Sequence, residues 1–154
     1  MNQGIIKYAG VLFSLSLCLA CGIAVSAADA MQGEVRVELI DPSAGIRMKG
    51  MAIDAHPSTI HSGKVTFNVL NRSGTLTHEL VLVRLDYTDR QLPYDWNAGQ
   101  VNEGAITRIG EVSDLPPGGH GSLTATVAPG RYMLICNEPG HYNAGMHAAL
   151  TVEP

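Results

Sequence analysis

The chain has 154 residues, 45% of them hydrophobic and 16% charged, with a formal net charge of −4 at pH 7. That is enough apolar material for one packed core. No basic run interrupts it, which argues against a nucleic-acid partner.

The first segment reads as an address rather than as fold. Lys7 is its only charge ahead of the apolar run over residues 9–25, and the small residues Ser26, Ala27, Ala28 and Ala30 follow. This order matches a secretory signal peptide over residues 1–30, with Ala28 and Ala30 in the cleavage pattern. The remainder, residues 31–154, is expected to form a single exported domain, periplasmic and monomeric. Membrane contact is expected only if the N-terminal segment is retained or lipidated, for instance at Cys21.

Beyond residue 30, apolar residues alternate at Val35, Val37 and Leu39, and again at Val65, Phe67 and Val69. Residues 79–85 are apolar on both faces, as in a strand covered on two sides. Three more alternating runs follow: Leu123, Ala125 and Val127; Tyr132, Leu134 and Cys136; Met146, Ala148, Leu150 and Val152. Turn residues punctuate them at Asp41-Pro42, Ser62-Gly63, Ser73-Gly74, Pro116-Pro117 and Pro129-Gly130. Such short, punctuated strands predict an all-β, Greek-key antiparallel β-sandwich. Residues 87–104 break the pattern and are too long for a hairpin turn. They are expected to cross from one sheet to the other, with a short helix near residues 93–98.

The chemistry sits near the C-terminus, where Cys136, His141 and Met146 are spaced five residues apart. A second imidazole, His78, heads the apolar run at residues 79–85. Two histidines, one cysteine and a weak methionine form a donor set that suits a copper ion moving between its two oxidation states. With residues 1–30 removed, Cys136 is the only cysteine left in a compartment that favours disulfides. A lone exported thiol is a liability unless something such as a metal holds it. Parity points the same way. Cys136 continues the face of Tyr132 and Leu134, and Met146 that of Ala148 and Leu150, so the ligands would close one end of the domain.

Rival readings of these residues are less economical. Buried cysteine and methionine are ordinary core fillers. Cys136 with His141 as a base could act as a nucleophile, but Met146 and a third orienting group would be unaccounted for. Zinc could take Cys136, His78 and His141, although methionine is not among its usual ligands. Met48, Met51, His56 and His61 form a loose group that could hold a second cuprous ion. Core packing and loop exposure explain them more simply. His147 has the wrong strand parity for a ligand, and His120 lies by the Pro/Gly turn.

These motifs resemble the cupredoxins, the blue-copper family that includes plastocyanin, azurin, rusticyanin and sulfocyanin. An upstream histidine and a C-terminal Cys-His-Met loop are matched by His78, Cys136, His141 and Met146, and Pro129-Gly130-Arg131-Tyr132 is similar to family wording. The loop spacing resembles rusticyanin more than plastocyanin. The resemblance covers residues 35–152. It implies one copper ion held by His78, Cys136 and His141, with Met146 axial, in an exported one-electron carrier rather than an enzyme. Redox partner proteins would dock near His141. The alternative is a periplasmic module for copper delivery, storage or resistance. One residue departs from the pattern: Glu79 stands after the first histidine, where several members of the family carry a small polar side chain that hydrogen-bonds the cysteine loop.

Overall fold

The computed structural model describes residues 32–45, 50–86 and 91–154. The signal-peptide reading of residues 1–30 and the role of Met48 fall outside the described residues.

Eleven strands are described: β1 (Gln32–Ile40), β2 (Ala52–His56), β3 (Thr59–His61), β4 (Gly63–Asn71), β5 (His78–Leu85), β6 (Tyr94–Asp95), β7 (Gln100–Val101), β8 (Thr107–Leu115), β9 (His120–Val127), β10 (Gly130–Ile135) and β11 (His147–Glu153). One sheet has the order β2-β1-β4-β9 and a second the order β3-β11-β10-β5-β8, while β6 and β7 form a small hairpin. Most pairings are antiparallel, as the punctuation predicts. Two are parallel, β1 with β4 and β3 with β11. β2 occupies one flank of β1 and β3 joins the other sheet, so β4 returns on the free flank of β1 in the same direction.

Period-two alternation decides what faces inward. Val35, Val37 and Leu39 of β1 and Val65, Phe67 and Val69 of β4 meet Leu80, Leu82, Tyr132, Leu134, Leu150 and Val152 of the second sheet in one buried core. At roughly 25 cal/mol per Å² of apolar surface, this face-to-face burial is the main favourable term for the fold. The double-sided apolar pattern of β5 has a separate cause. Val81, Val83 and Ile135 point to the outer face of the second sheet, where Leu92 and Val101 cover them in a smaller core.

That second core corrects the reading of residues 87–104. The segment does not cross between sheets, because β5 and β8 at its two ends are neighbours in one sheet. Its described part, residues 91–104, folds back over the outer face instead, and the expected helix at residues 93–98 is replaced by the β6–β7 hairpin. The apolar residues on the outer face of β5 needed a cover, and this excursion supplies it.

Candidate metal centre

The four predicted site residues collect at one end of the sandwich. His78 is the first residue of β5, and Cys136 follows the last residue of β10, so strands already fixed by the main core position both. The intervening loop is folded by its own backbone. Cys136 N–H donates to the Met146 carbonyl at 3.1 Å, and Met146 N–H donates to the His141 carbonyl at 3.0 Å. His141 N–H reaches Glu138 at 3.0 Å, and Gly140 N–H reaches Gly99 of the hairpin at 2.7 Å. Gly140 and Gly145 adopt φ of 84° and 101°, a region that side chains with a Cβ rarely enter. A Cβ on Gly145 would also lie 3.1 Å from the Met51 carbonyl oxygen.

This framework brings three donor atoms together. His78 Nδ1 and His141 Nδ1 are 3.1 Å apart; Cys136 Sγ lies 3.5 Å from His141 Nδ1 and 3.9 Å from His78 Nδ1. A point equidistant from atoms at these separations is about 2 Å from each, which is the length of a metal–imidazole bond. Met146 is fully buried in the same apolar cluster as Cys136. His78 and Cys136 are also fully buried, and only His141 of the four has solvent exposure.

The surroundings favour a metal over a reactive thiol. Burial pushes the Cys136 thiol up to about 11, against the opposing backbone N–H groups of Glu79 and Glu138. A thiol so hard to ionise is a poor nucleophile, and a metal cation is what would draw off its proton. Burial, reinforced by His78 beside it, lowers the pKa of His141, which keeps its ring neutral and able to ligate.

His78 Nε2 meets a carboxylate, Asp41 Oδ2, at 3.0 Å, with both side chains at most 1% exposed. Burial raises the Asp41 pKa, but hydrogen bonds from Ser43, Ser73 and His78 outweigh it and hold the carboxyl at about 2. Sequence reasoning missed this partner. Its only local signal is Asp41-Pro42-Ser43, a cap-and-proline start to a short 3₁₀ turn over Pro42–Ala44.

Glu79, the departure from the family pattern, lies on the strand face opposite His78 and is half-buried. Its backbone N–H points at Cys136 Sγ at 3.5 Å, and its carboxylate accepts from Asn137 N–H at 3.0 Å. Glu79 therefore ties down the cysteine loop itself. Burial and the carboxylates of Glu138, Glu103 and Glu111 raise its pKa to about 7, although the Asn137 N–H opposes them.

Of the proposed second metal group, Met48 lies outside the described residues, and the other three have separate partners. Met51 packs against the main core, exposed His56 pairs with Asp54 at 2.8 Å, and His61 reaches the Pro154 carbonyl at 3.0 Å. His147 is exposed beside the Tyr142 ring, and His120 is exposed at the start of β9.

No family model matches the chain. Auracyanin-B of Chloroflexus aurantiacus is 56% identical over 41 residues, which is 26% of this chain and 17% of that protein. The match thus spans about a sixth of that relative's length. Among solved structures, auracyanin B is similar over 80% of this chain and 89% of its own, at 26% identity and a TM-score of 0.56. Auracyanin A of the same bacterium, described as a "blue" copper protein, gives 21% identity, 80% and 100% coverage, and a TM-score of 0.57. Rusticyanin from Thiobacillus ferrooxidans gives 20%, 79% and 77%, and 0.55. These likenesses show a cupredoxin-like fold and, with the donor cluster, support the resemblance to the blue-copper proteins that the sequence carries.

Proposed function

We propose that this protein is an exported one-electron carrier with a mononuclear type 1 copper site. His78, Cys136 and His141 would be its strong ligands and Met146 a weak one. The observation that carries this reading is the convergence of two imidazole Nδ1 atoms and one buried thiol on a single point. Bound copper would supply a Cu(II)/Cu(I) couple, for which thiolate and imidazole together are suited. With all four positions taken by side chains, no place remains for a substrate, so the protein carries electrons rather than transforming a molecule. His141, the exposed ligand, is where electrons enter and leave.

The surface around His141 suits a transient partner. Pro139 and Ala144 are exposed and Tyr142 is half-buried. Beyond them the hairpin holds up Trp96, 77% exposed, with its ring against Tyr94 at 5.0 Å. Small interfaces of this kind allow a redox partner to bind and separate quickly. Residues 1–30 would direct the chain to the periplasm and be removed there.

The test is spectroscopic. Loading with Cu(II) should give an intense visible band from thiolate-to-copper charge transfer and a single one-electron titration. Cys136→Ser should abolish the band while circular dichroism still reports a folded sheet protein. An intense band that persists in Cys136→Ser would refute the assignment.

A further inference from the structure

Asp41 sits just past the end of β1 in the first sheet, and His78 opens β5 in the second, so their contact spans the sandwich at its metal end. We propose that Asp41 is a positioning residue for the metal centre: it fixes His78 as the Nε2–H tautomer, leaving Nδ1 bare toward Cys136 and His141, and its buried charge biases the centre toward the oxidised state. The proposal rests on the reading of the cluster as a copper site.

Hydrogen-bond bookkeeping carries the first half. Asp41 Oδ1 already accepts from Ser43 N–H at 2.7 Å and from the Ser43 hydroxyl at 2.5 Å. Oδ2 remains, and among the described residues the bond it makes within hydrogen-bond geometry is to His78 Nε2, at 3.0 Å. A carboxylate oxygen offers no proton, so the imidazole must donate through Nε2. In a neutral ring the other nitrogen, Nδ1, is then the acceptor. That nitrogen is the one aimed at His141 Nδ1 and Cys136 Sγ. Capping the 3₁₀ turn does not explain the arrangement, because the cap uses Oδ1 alone and asparagine caps as well as aspartate. Two accepting oxygens are needed, and an amide has one. An asparagine would turn its NH₂ toward either Ser43 N–H or His78 Nε2–H. In the second case the ring must accept at Nε2 and carry its proton on Nδ1, where the ligand lone pair should be.

Charge carries the second half. Among the described residues no lysine or arginine pairs with Asp41, so no fixed cation neutralises the carboxylate. A thiolate leaves the centre at a net +1 with Cu(II) and at zero with Cu(I). A buried carboxylate behind one ligand is attracted only to the first of these. Histidine ligands held by a carboxylate are also more basic, which favours the higher oxidation state in the same sense.

The experiment compares wild type, Asp41→Asn and Ser43→Ala in the mature domain. In the metal-free protein at mildly alkaline pH, nitrogen-detected NMR should show wild-type His78 protonated at Nε2. Asp41→Asn should populate the Nδ1–H form. In the copper-loaded protein, Asp41→Asn should shift the Cu(II)/Cu(I) equilibrium at least tenfold toward Cu(I), which is about 59 mV for one electron. Ser43→Ala keeps the carboxylate and should shift it far less. A lowered melting temperature in Asp41→Asn with tautomer and potential unchanged would overturn the proposal, leaving Asp41 a structural cap. An Nδ1–H ring in wild type would overturn it without any variant, should Asp41→Asn not fold. A wild-type protein that shows no charge-transfer band would sink the copper reading instead, and the metal-free tautomer would still decide whether Asp41 positions His78.

Discussion

Asn137 follows Cys136 and is itself buried, at 3% exposure. Its side chain behaves like a short piece of strand laid against Val101. Oδ1 accepts from Val101 N–H at 2.6 Å, and Nδ2 donates to the Val101 carbonyl at 3.1 Å and to Glu103 Oε1 at 3.0 Å. Asn137→Ala deletes all three bonds. Glu103 can recover water, but Val101 is 3% exposed and its N–H and carbonyl would be stranded. Each orphaned buried group costs roughly 1–3 kcal/mol, so the substitution should cost about 2–4 kcal/mol once partial relaxation is allowed. A domain of this size has about 5–15 kcal/mol in total. Urea unfolding of the metal-free protein, followed by circular dichroism, measures the global loss. Hydrogen exchange at the Val101 amide measures the cheaper alternative, a local opening of the hairpin off the outer core. Asn137→Asp should not rescue, because it lacks the Nδ2 donor and sets a second carboxylate against Glu103. A loss below about 0.5 kcal/mol with unchanged exchange at Val101 would refute the reasoning.

Three further outcomes are expected. Met146→Gln should retain copper but lower the reduction potential, since an oxygen donor favours the cupric ion; an unchanged potential in cyclic voltammetry would make Met146 a core residue only. Glu79 has a folded pKa of about 7, above its ordinary 4.5, so the stability linked to it is complete below 4.5 and lost as pH rises through about 7. Denaturant titrations of the metal-free protein should therefore show this falling slope in wild type and not in Glu79→Gln, and a slope that survives the change would assign it to other groups. Ala144→Glu should leave the visible spectrum intact and slow electron self-exchange, and unaltered exchange would move the electron route away from His141.

How much of this could be read in the chain depended on whether a feature was local. Strands β1, β4, β10 and β11 are legible because one face is buried and the other wet, so alternation survives at Val35, Val37 and Leu39 or at Leu150 and Val152. β8 was not legible. It is an edge strand with irregular pairing to β5, and Arg108, Glu111 and Asp114 interrupt its few inward residues, Ile109, Val112 and Leu115. The direction of residues 87–104 was misread for a related reason. Its anchors are the side chain of Asn137 and the carbonyl of Gly99, and neither leaves a periodic trace. The donor loop from Cys136 to Met146 could be read because its spacing is contiguous. Its partner Asp41 could not, since 37 positions separate it from His78 and only the packed sandwich makes them neighbours.

The network around the donors explains what holds them in place. Each strand-borne donor is restrained from behind by an element other than its own. Asp41 restrains His78 from the first sheet, and the Glu79 backbone and side chain restrain Cys136 and its loop from β5. A second buried amide besides Asn137, Asn71, fixes the approach to His78. Its Nδ2 donates to the Leu76, Leu115 and Pro116 carbonyls, and its Oδ1 accepts from Ser73 N–H. None of the buried side-chain nitrogen or oxygen atoms among the described residues lacks a partner, so these restraints carry no unpaid desolvation that motion would relieve. Donors held this way would change position little between oxidation states, which suits the proposed one-electron carrier. His141 is the exception. It is held by a loop whose turns depend on Gly140 and Gly145, and it alone reaches solvent. In the proposed carrier, metal entry and electron exchange would use this one accessible ligand.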